Sequence, residues 1–245
     1  MKNHKKILVA LDTPNMSAIH NTIEQVSDFV GGFKLGLEFF NYNGVNGLNK
    51  VMTGKDKFLF LDLKFHDIPN TVAGAIRGCM SGVVPNMITI HTSGGFEMMK
   101  RAKEESALVA SSLGVKPPLI IGVTVLTALD DNDMQDIGYS NDTQAQAIKL
   151  AKLAKKAGLD GIVCSAFEIE SIKKVCGDDF ILVVPGIRPQ GTDSGDQKRI
   201  MTPEQALEKG ADYLVIGRPI TQAKNQRDIV KQISSSLDKY TFKSI

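Results

Sequence analysis

The chain has 245 residues, no tryptophan, only three cysteines and few aromatic side chains, which make up 6% of the sequence. The cysteines, Cys79, Cys164 and Cys176, are odd in number and far apart along the chain. Their spacing predicts neither a disulfide framework nor a zinc or redox site of closely paired cysteines. We therefore interpret them as reduced thiols of a hydrophobic core.

Neither sign of charge dominates, because 29 Lys and Arg residues and 27 Asp and Glu residues leave a net charge of +2. No block of like charge is long enough for a nucleic-acid-binding arm or a polybasic membrane anchor. No apolar run approaches the about 18 residues of a membrane helix, and the run at 7–11 is too short for a signal peptide. We therefore expect a cytoplasmic protein without a nucleic-acid or membrane partner.

The chain does contain a regular alternation of short apolar runs and longer amphipathic segments. The runs predict eight strands, at 7–11, 32–35, 58–63, 87–91, 119–125, 161–164, 180–184 and 213–216. Runs such as FLFLDL are apolar on both faces, which is typical of parallel strands covered by helices. The alternation predicts a single domain, residues 1–245, folded as an α/β protein of the (β/α)8 TIM barrel class. An open doubly wound sheet is the alternative, but its glycine fingerprint is absent after the first strand.

The amphipathic segments predict helices at 17–29, 45–53, 71–82, 95–113, 143–157, 167–176, 202–209 and from 220 towards 237. Gly158 and Gly210 stand where helices end, and Thr202 and Pro203 stand where one begins. The pattern at 45–53 is the weakest of the eight. The acidic stretch 130–136 predicts a solvated surface loop.

Polar residues stand at the end of every predicted strand, and in a barrel these ends meet at one mouth. The sharpest signal is in the third strand, where a period of two places Asp62 and Lys64 together on the inner face. Buried charges are costly unless paired, so this pair indicates either a catalytic site or an internal ion pair. Asp67 lies beyond the strand, where it either caps the next helix or reaches a neighbouring subunit. The other strand-end residues include Asp12, Lys34, His91, Thr124 and Ser165.

A second signal follows the seventh and eighth strands. Arg188 begins a loop rich in glycine and serine that runs to Gln197, and Gly217 and Arg218 stand directly before a predicted helix. Free N–H groups at a helix start, together with arginine, bind anions, and this is where barrels commonly bind phosphate. The sequence therefore predicts a phosphate site here.

Taken together, these residues resemble the orotidine 5′-phosphate decarboxylase family over almost the whole chain. The family pattern D-x-K-x-x-D-I-x-x-T stands without departure from Asp62 to Thr71. The segments 124–127, 185–189, 196–203 and 217–218 resemble the bacterial branch of the family.

The resemblance implies decarboxylation of orotidine 5′-phosphate to uridine 5′-phosphate, the last step of de novo UMP biosynthesis, without a cofactor or metal. Lys64 would stabilise and protonate the carbanion at C6 of the pyrimidine, and Asp62 would lie beside the substrate carboxylate. Asp12 and Lys34 would bind the ribose, and Lys34 would also pair with Asp62. Thr127 would contact the pyrimidine. The residues implied at the phosphate are Arg188, Gln197, Gly217 and Arg218.

The resemblance also implies a homodimer with shared active sites. Asp67, Ile68 and Thr71 would enter the site of the partner subunit and complete an alternating chain of Lys34, Asp62, Lys64 and Asp67.

Two other functions remain open. A magnesium-dependent sugar-phosphate decarboxylase or aldolase of the same superfamily shares D-x-K-x-x-D, but such enzymes normally place a metal-binding acid after the second strand. Glu38 is the only acid near that position, and we expect it to lie within a helix. A non-catalytic nucleotide-phosphate binder is the second alternative, although it should lack one of the four charged residues, and none is missing.

Overall fold

The strands close into a barrel, as predicted. The structure is a computed structural model that describes residues 2–189 and 201–239. Its parallel strands pair in the order β1-β2-β3-β4-β5-β6-β7-β8, and β1 returns to β8 with Leu8 opposite Val215. The strands are β1 (Ile7–Ala10), β2 (Gly32–Gly36), β3 (Phe58–Phe65), β4 (Met87–His91), β5 (Leu119–Val123), β6 (Gly161–Val163), β7 (Ile181–Val184) and β8 (Tyr213–Ile216).

Helices cover the outside of the barrel. They are α1 (Met16–Val26), α2 (Leu37–Met52), α3 (Pro69–Cys79), α4 (Phe96–Leu113), α5 (Asp131–Asp136), α6 (Thr143–Lys156), α7 (Ile169–Cys176), α8 (Pro203–Glu208), α9 (Arg218–Thr221) and α10 (Gln226–Lys239). Short 3₁₀ turns occupy Asn3–Lys6, Ser27–Phe29 and Thr92–Gly94. Within the described ranges, no helix has the length and apolar character needed to cross a membrane.

The backbone angles and capping hydrogen bonds confirm three of the predicted helix boundaries. Gly158 and Gly210 have φ values of 82° and 106°, in the left-handed region that glycine enters without a Cβ penalty. Thr202 caps α8, because its hydroxyl accepts from the Gln205 amide while the Gln205 side chain accepts from the Thr202 amide. Pro203 then occupies the first turn of the helix.

Other predicted helices are wrong in extent. The segment predicted at 45–53 is the second half of α2, which begins at Leu37 and kinks at Gly44 (φ 58°, ψ −161°). The glycines at 44 and 47 interrupt the apolar pattern and hide the first half. The segment predicted as one last helix, from 220 towards 237, forms two helices, α9 and α10. The helix predicted at 71–82 is α3, which begins at Pro69 and ends at Cys79.

The acidic stretch predicted as a loop contains a helix. Asp130 accepts hydrogen bonds from the amides of Asn132 and Asp133, and the Asp133 carboxylate accepts from the Asp130 amide. This reciprocal capping box stabilises the start of α5 and satisfies amides that would otherwise be unpaired.

The two faces of each strand build two different cores. In β3, Phe58 and Phe60 point into the barrel, whereas Leu59 and Leu61 pack under the helices. The interior is apolar towards the amino ends of the strands, where the rings of Phe58 and Tyr213 lie 5.3 Å apart. The next inner position of β3 above Phe60 is Asp62, so the interior changes from apolar to charged towards the carboxyl ends.

All three cysteines are buried and none of them forms a disulfide in the described ranges, which confirms their interpretation as core thiols. Burial raises the pKa of Cys79 to about 12, so its thiol stays protonated at neutral pH.

A repeated hydrogen bond fixes the strands at the amino end of the barrel. Asn86, Asp160 and Asp212 directly precede β4, β6 and β8. Their side chains accept from the amides of Leu59, Ile120 and Leu182, at 2.7, 2.7 and 2.8 Å. Asp160 and Asp212 also form ion pairs with Lys103 (2.6 Å) and Lys173 (2.9 Å). We call these three acceptors the floor residues.

We expect Asp160→Ala to lower the free energy of unfolding by about 2–3 kcal/mol, because it leaves the Ile120 amide without its acceptor and Lys103 without its carboxylate. Urea unfolding followed by circular dichroism measures the change. Asp160→Asn keeps an acceptor and should be less harmful. Asp136→Ala, at an exposed acid of α5, should stay within about 0.5 kcal/mol of the unchanged protein. Equal losses for the Ala and Asn variants at 160 would contradict the role given to the amide bond.

Candidate active site

A cavity of about 260 Å³ lies at the carboxyl ends of the strands. Lys34, Asp62, Lys64 and Thr127 form its polar side. Its apolar side consists of Phe60, Val123, Val125, Leu126, Ala128, Val163, Pro185 and Val215. Charges beside such an apolar wall interact more strongly than they would in water.

Four charged side chains form a line of alternating sign at this cavity. Lys34 Nζ lies 2.7 Å from Asp12 Oδ1 and 3.6 Å from Asp62 Oδ2. Lys64 Nζ lies 2.8 Å from the same Asp62 Oδ2. Lys34 and Asp62 are buried, Lys64 is partly exposed, and the Asp12 side chain is 57% exposed. The structure thus brings together predicted residues from the ends of three strands.

The sheet register places these groups next to each other. Lys34 of β2 pairs with Ala10 of β1 and with Phe60 of β3, and Gly36 pairs with Asp62. A Cβ atom on Gly36 would stand 3.0 Å from Asp12 Oδ1 and 3.1 Å from Lys34 Nζ. Glycine therefore leaves the space that this ion pair occupies.

Lys64 reaches the cavity by a different backbone path from the one predicted. Its φ is 51°, and the register between β3 and β4 shifts, with Leu61 opposite Ile88 but Phe65 opposite Ile90. The regular period of two is therefore wrong at Lys64, because the strand bulges there. The predicted approach of the Asp62 and Lys64 charges is nevertheless found.

The neighbouring charges decide the pKa of both buried groups. Burial alone would raise the pKa of Asp62, but Lys34, Lys64 and the hydrogen bonds from Lys64 and Thr89 outweigh burial and hold it below its usual range. Burial alone would lower the pKa of Lys34, and the carboxylates of Asp62 and Asp12 instead raise it. Both groups are therefore charged at neutral pH.

A pair of histidines stands beside the line of charges. The rings of His66 and His91 lie 5.5 Å apart. Burial lowers the pKa of His91, His66 and Lys64 lower it further, and Asp62 acts in the opposite direction. His91 is therefore neutral at neutral pH and adds no positive charge to the site.

The residues predicted to serve a partner subunit lie at the rim. Asp67, Ile68 and Thr71 are exposed, with Ile68 exposed to 67%. Asp67 Oδ1 accepts from the Ile68 amide at 2.6 Å, and the residue that precedes α3 is Ile68, so the suggestion that Asp67 caps this helix is wrong. In residues 2–189 and 201–239, Asp67 forms no ion pair with Lys64 or any other cation. Within one subunit the line of charges therefore ends at Lys64.

The predicted phosphate residues are placed in part. Arg188 is buried, its amide donates to the Met201 carbonyl at 3.0 Å, and its Nη1 donates to the Ile187 carbonyl at 3.0 Å. Gly217 directly precedes the four-residue helix α9, which the exposed Arg218 begins. Gln197, and with it most of the loop after Arg188, lies outside the described residues.

Thr89 is the polar residue of the site that the sequence analysis missed. It is fully buried in β4, and its hydroxyl donates to Asp62 Oδ1 at 2.9 Å. A hydroxyl between the apolar residues of the segment MITI, which begins this strand, was the available signal. The apolar wall was missed as well, because it is assembled from separate strands.

The acid expected for a magnesium site is placed away from the cavity. Glu38 is exposed in the first turn of α2, which agrees with its predicted helical position. Among the residues that the structure describes, no three His, Cys, Asp or Glu side chains are grouped as metal ligands. The donor set that the magnesium-dependent alternative needs is thus not assembled in these residues.

The fold and the site define a (β/α)8-barrel enzyme with a lysine and aspartate site at the carboxyl ends of its strands. The family model described as Orotidine 5'-phosphate decarboxylase / HUMPS family matches residues 5–233. The chain belongs to this family.

Relatives cover nearly the whole chain. The orotidine 5'-phosphate decarboxylase of Pseudoalteromonas translucida is 49% identical over 235 residues, which are 96% of this chain and 97% of that protein. The enzyme of the same name from Haemophilus ducreyi is 48% identical and covers 95% of this chain and 98% of its own. The crystal structure of orotidine 5'-phosphate decarboxylase from Lactobacillus acidophilus superimposes with a TM-score of 0.81 at 32% identity, over 94% of this chain and 98% of that one.

Proposed function

We propose that this protein decarboxylates orotidine 5′-phosphate to uridine 5′-phosphate and CO₂, the last step of de novo UMP biosynthesis. The observation that carries this proposal is the ammonium of Lys64, 2.8 Å from the buried Asp62 carboxylate in a cavity with an apolar wall. Membership of the family supports it independently.

The reaction needs a fixed positive charge. When the bond between C6 and the carboxylate breaks, the electron pair stays on C6 in an orbital that the pyrimidine ring does not delocalise. Lys64 opposes this charge and then transfers a proton from Nζ to C6, after which solvent returns a proton to the amine. The apolar wall of the cavity strengthens the attraction between the ammonium and the carbanion. No electron-accepting cofactor takes part in this scheme.

The other charged residues hold the reacting groups. Asp62 anchors the ammonium groups of Lys34 and Lys64 and faces the substrate carboxylate. Asp12 and Lys34 bind the ribose hydroxyls, and Thr127 contacts the pyrimidine edge. Arg188, Gln197, Gly217 and Arg218 bind the phosphate, whose binding energy holds the substrate in the site.

We further infer a cytoplasmic homodimer with shared sites and without a nucleic-acid or membrane partner. The exposure of Asp67, Ile68 and Thr71 supports this inference, because these side chains are available to a second subunit. Asp67, an exposed acid at the rim, then extends the line beyond Lys64 in the site of the partner.

The decarboxylase assay tests the function directly. Ultraviolet absorbance of orotidine 5′-phosphate should change to that of uridine 5′-phosphate when the purified protein is added. The rate should be the same after treatment with EDTA and after addition of Mg²⁺. A rate that EDTA abolishes and Mg²⁺ restores would favour the magnesium-dependent alternative. Binding of uridine 5′-phosphate in equilibrium dialysis without turnover would favour a non-catalytic binder.

A further inference from the structure

Thr89 connects the two residues on which the proposed chemistry depends. Its Oγ1 donates to Asp62 Oδ1 at 2.9 Å and accepts from the Lys64 amide at 2.9 Å. An ionised carboxylate only accepts and an amide N–H only donates, so the single hydroxyl proton has one possible direction. Both polar functions of the buried hydroxyl are therefore used, one on each residue.

The bond to Lys64 supports an unusual backbone conformation. Lys64 lies within the break in register between Leu61 and Phe65, and it is the one residue other than glycine with positive φ in the described part of the chain. A left-handed conformation is unfavourable for a residue with a Cβ atom, because the Cβ atom comes too close to the backbone. The Thr89 hydroxyl accepts a hydrogen bond from the Lys64 amide, which lies within the break in register between β3 and β4. This hydrogen bond stabilises the left-handed conformation.

The bond to Asp62 fixes the rotation of the carboxylate. Oδ1 is held by Thr89, whereas Oδ2 faces Lys64 Nζ at 2.8 Å and Lys34 Nζ at 3.6 Å. Without the hydroxyl, the carboxylate can turn about its Cβ–Cγ bond, so that Oδ2 no longer stays between the two lysines. A fixed rotation keeps one oxygen between the two ammonium groups.

We propose that Thr89 is a positioning residue, which orients the Asp62 carboxylate and holds the Lys64 backbone so that the Lys64 ammonium stands at the reacting carbon. The proposal rests on the proposed decarboxylase function and deepens it. Because Thr89 is fully buried, it acts through Asp62 and Lys64 rather than on the substrate.

Thr89→Val tests the hydroxyl, because valine keeps the branched shape of threonine. We expect kcat for orotidine 5′-phosphate to fall by about 10- to 100-fold, since small misplacements of reacting groups have effects of this size. KM should change by less than about threefold, because the ribose and phosphate contacts remain. Thr89→Ser keeps the hydroxyl and should recover most of kcat.

Thr92→Val is the matched control. Thr92 is equally buried, and its hydroxyl donates to the Val123 carbonyl at 2.8 Å without touching Asp62 or Lys64. Urea unfolding should show both Val variants to be destabilised, whereas kcat should fall only for Thr89→Val. The proposal is overturned if Thr89→Val keeps kcat within about twofold, if Ser does not restore it, or if Thr92→Val loses as much.

A crystal structure of Thr89→Val separates this proposal from the proposed function. The distance from Lys64 Nζ to Asp62 Oδ2, now 2.8 Å, should exceed hydrogen-bond range in the variant. Absence of decarboxylation by the unchanged protein, assayed in parallel, would refute the proposed function alone. In that case an unchanged distance in the variant would overturn the role of Thr89, and a lengthened one would support it.

Discussion

Lys64→Ala is expected to lower kcat for orotidine 5′-phosphate by about 10⁵-fold, with a much smaller change in KM. A positioned proton donor contributes about 10²–10⁴-fold, and a preorganised charge at the reacting atom contributes about 10²–10³-fold. Alanine removes both contributions at once. Lys34 does not replace either of them, because it lies 3.6 Å from Asp62 and is assigned to the ribose. Steady-state kinetics by ultraviolet absorbance measure the loss.

Two further variants separate the contributions of Lys64. Lys64→Arg keeps a positive charge, but a guanidinium does not release its proton at neutral pH, so at most the electrostatic part should return. Lys50→Ala removes an exposed lysine of α2 and should leave kcat unchanged. A loss of less than about tenfold in correctly folded Lys64→Ala would assign the proton transfer to another group.

Mixing Lys64→Ala subunits with Asp67→Ala subunits should restore activity that neither variant has alone. If Asp67 completes the partner's site, each mixed dimer contains one site with both residues intact and one with neither. Random exchange makes about half of the dimers mixed, so about a quarter of the unmutated activity per subunit should return. Asp67→Ala alone should be almost inactive, because the carboxylate that extends the line of charges beyond Lys64 is missing from every site.

The same-subunit pair Lys34→Ala and Lys64→Ala provides the control for this mixing. Both residues belong to one chain, and the Asp62 carboxylate joins them at 3.6 and 2.8 Å. A mixed dimer of these variants has no intact site and should not recover. Native mass spectrometry confirms that mixed dimers form. If confirmed dimers of the first pair stay inactive, Asp67 serves its own chain.

The sequence predicted the barrel because its determinants are local. Parallel strands buried on both faces must be continuous apolar runs, and glycines such as Gly158 and Gly210 end helices through their own backbone freedom. The polar residues after those runs indicated the mouth of the barrel and the pair Asp62 and Lys64. The start of α5 was also local, because Asp130 and Asp133 have the spacing of a capping box, but the acidic composition favoured a loop.

The remainder of the site depends on contacts between distant segments. The left-handed conformation of Lys64 is supported by a hydroxyl 25 residues further along the chain, which no period within β3 indicates. The apolar wall joins Val123, Val163 and Val215 from three strands, and only closure of the barrel brings them together. The first half of α2 was hidden because its kink at Gly44 divides one helix into two short patterns.

The floor residues have a consequence for how this molecule tolerates change. They secure the sheet at the end opposite the cavity, so rigidity and reactivity depend on separate sets of side chains. Sequence variation in the loops around the cavity therefore leaves the hydrogen bonds of the floor residues at β4, β6 and β8 unchanged. Substitutions intended to raise thermal stability should therefore strengthen the floor residues and their lysine partners. Substitutions intended to change the substrate should be confined to the cavity at the carboxyl ends of the strands.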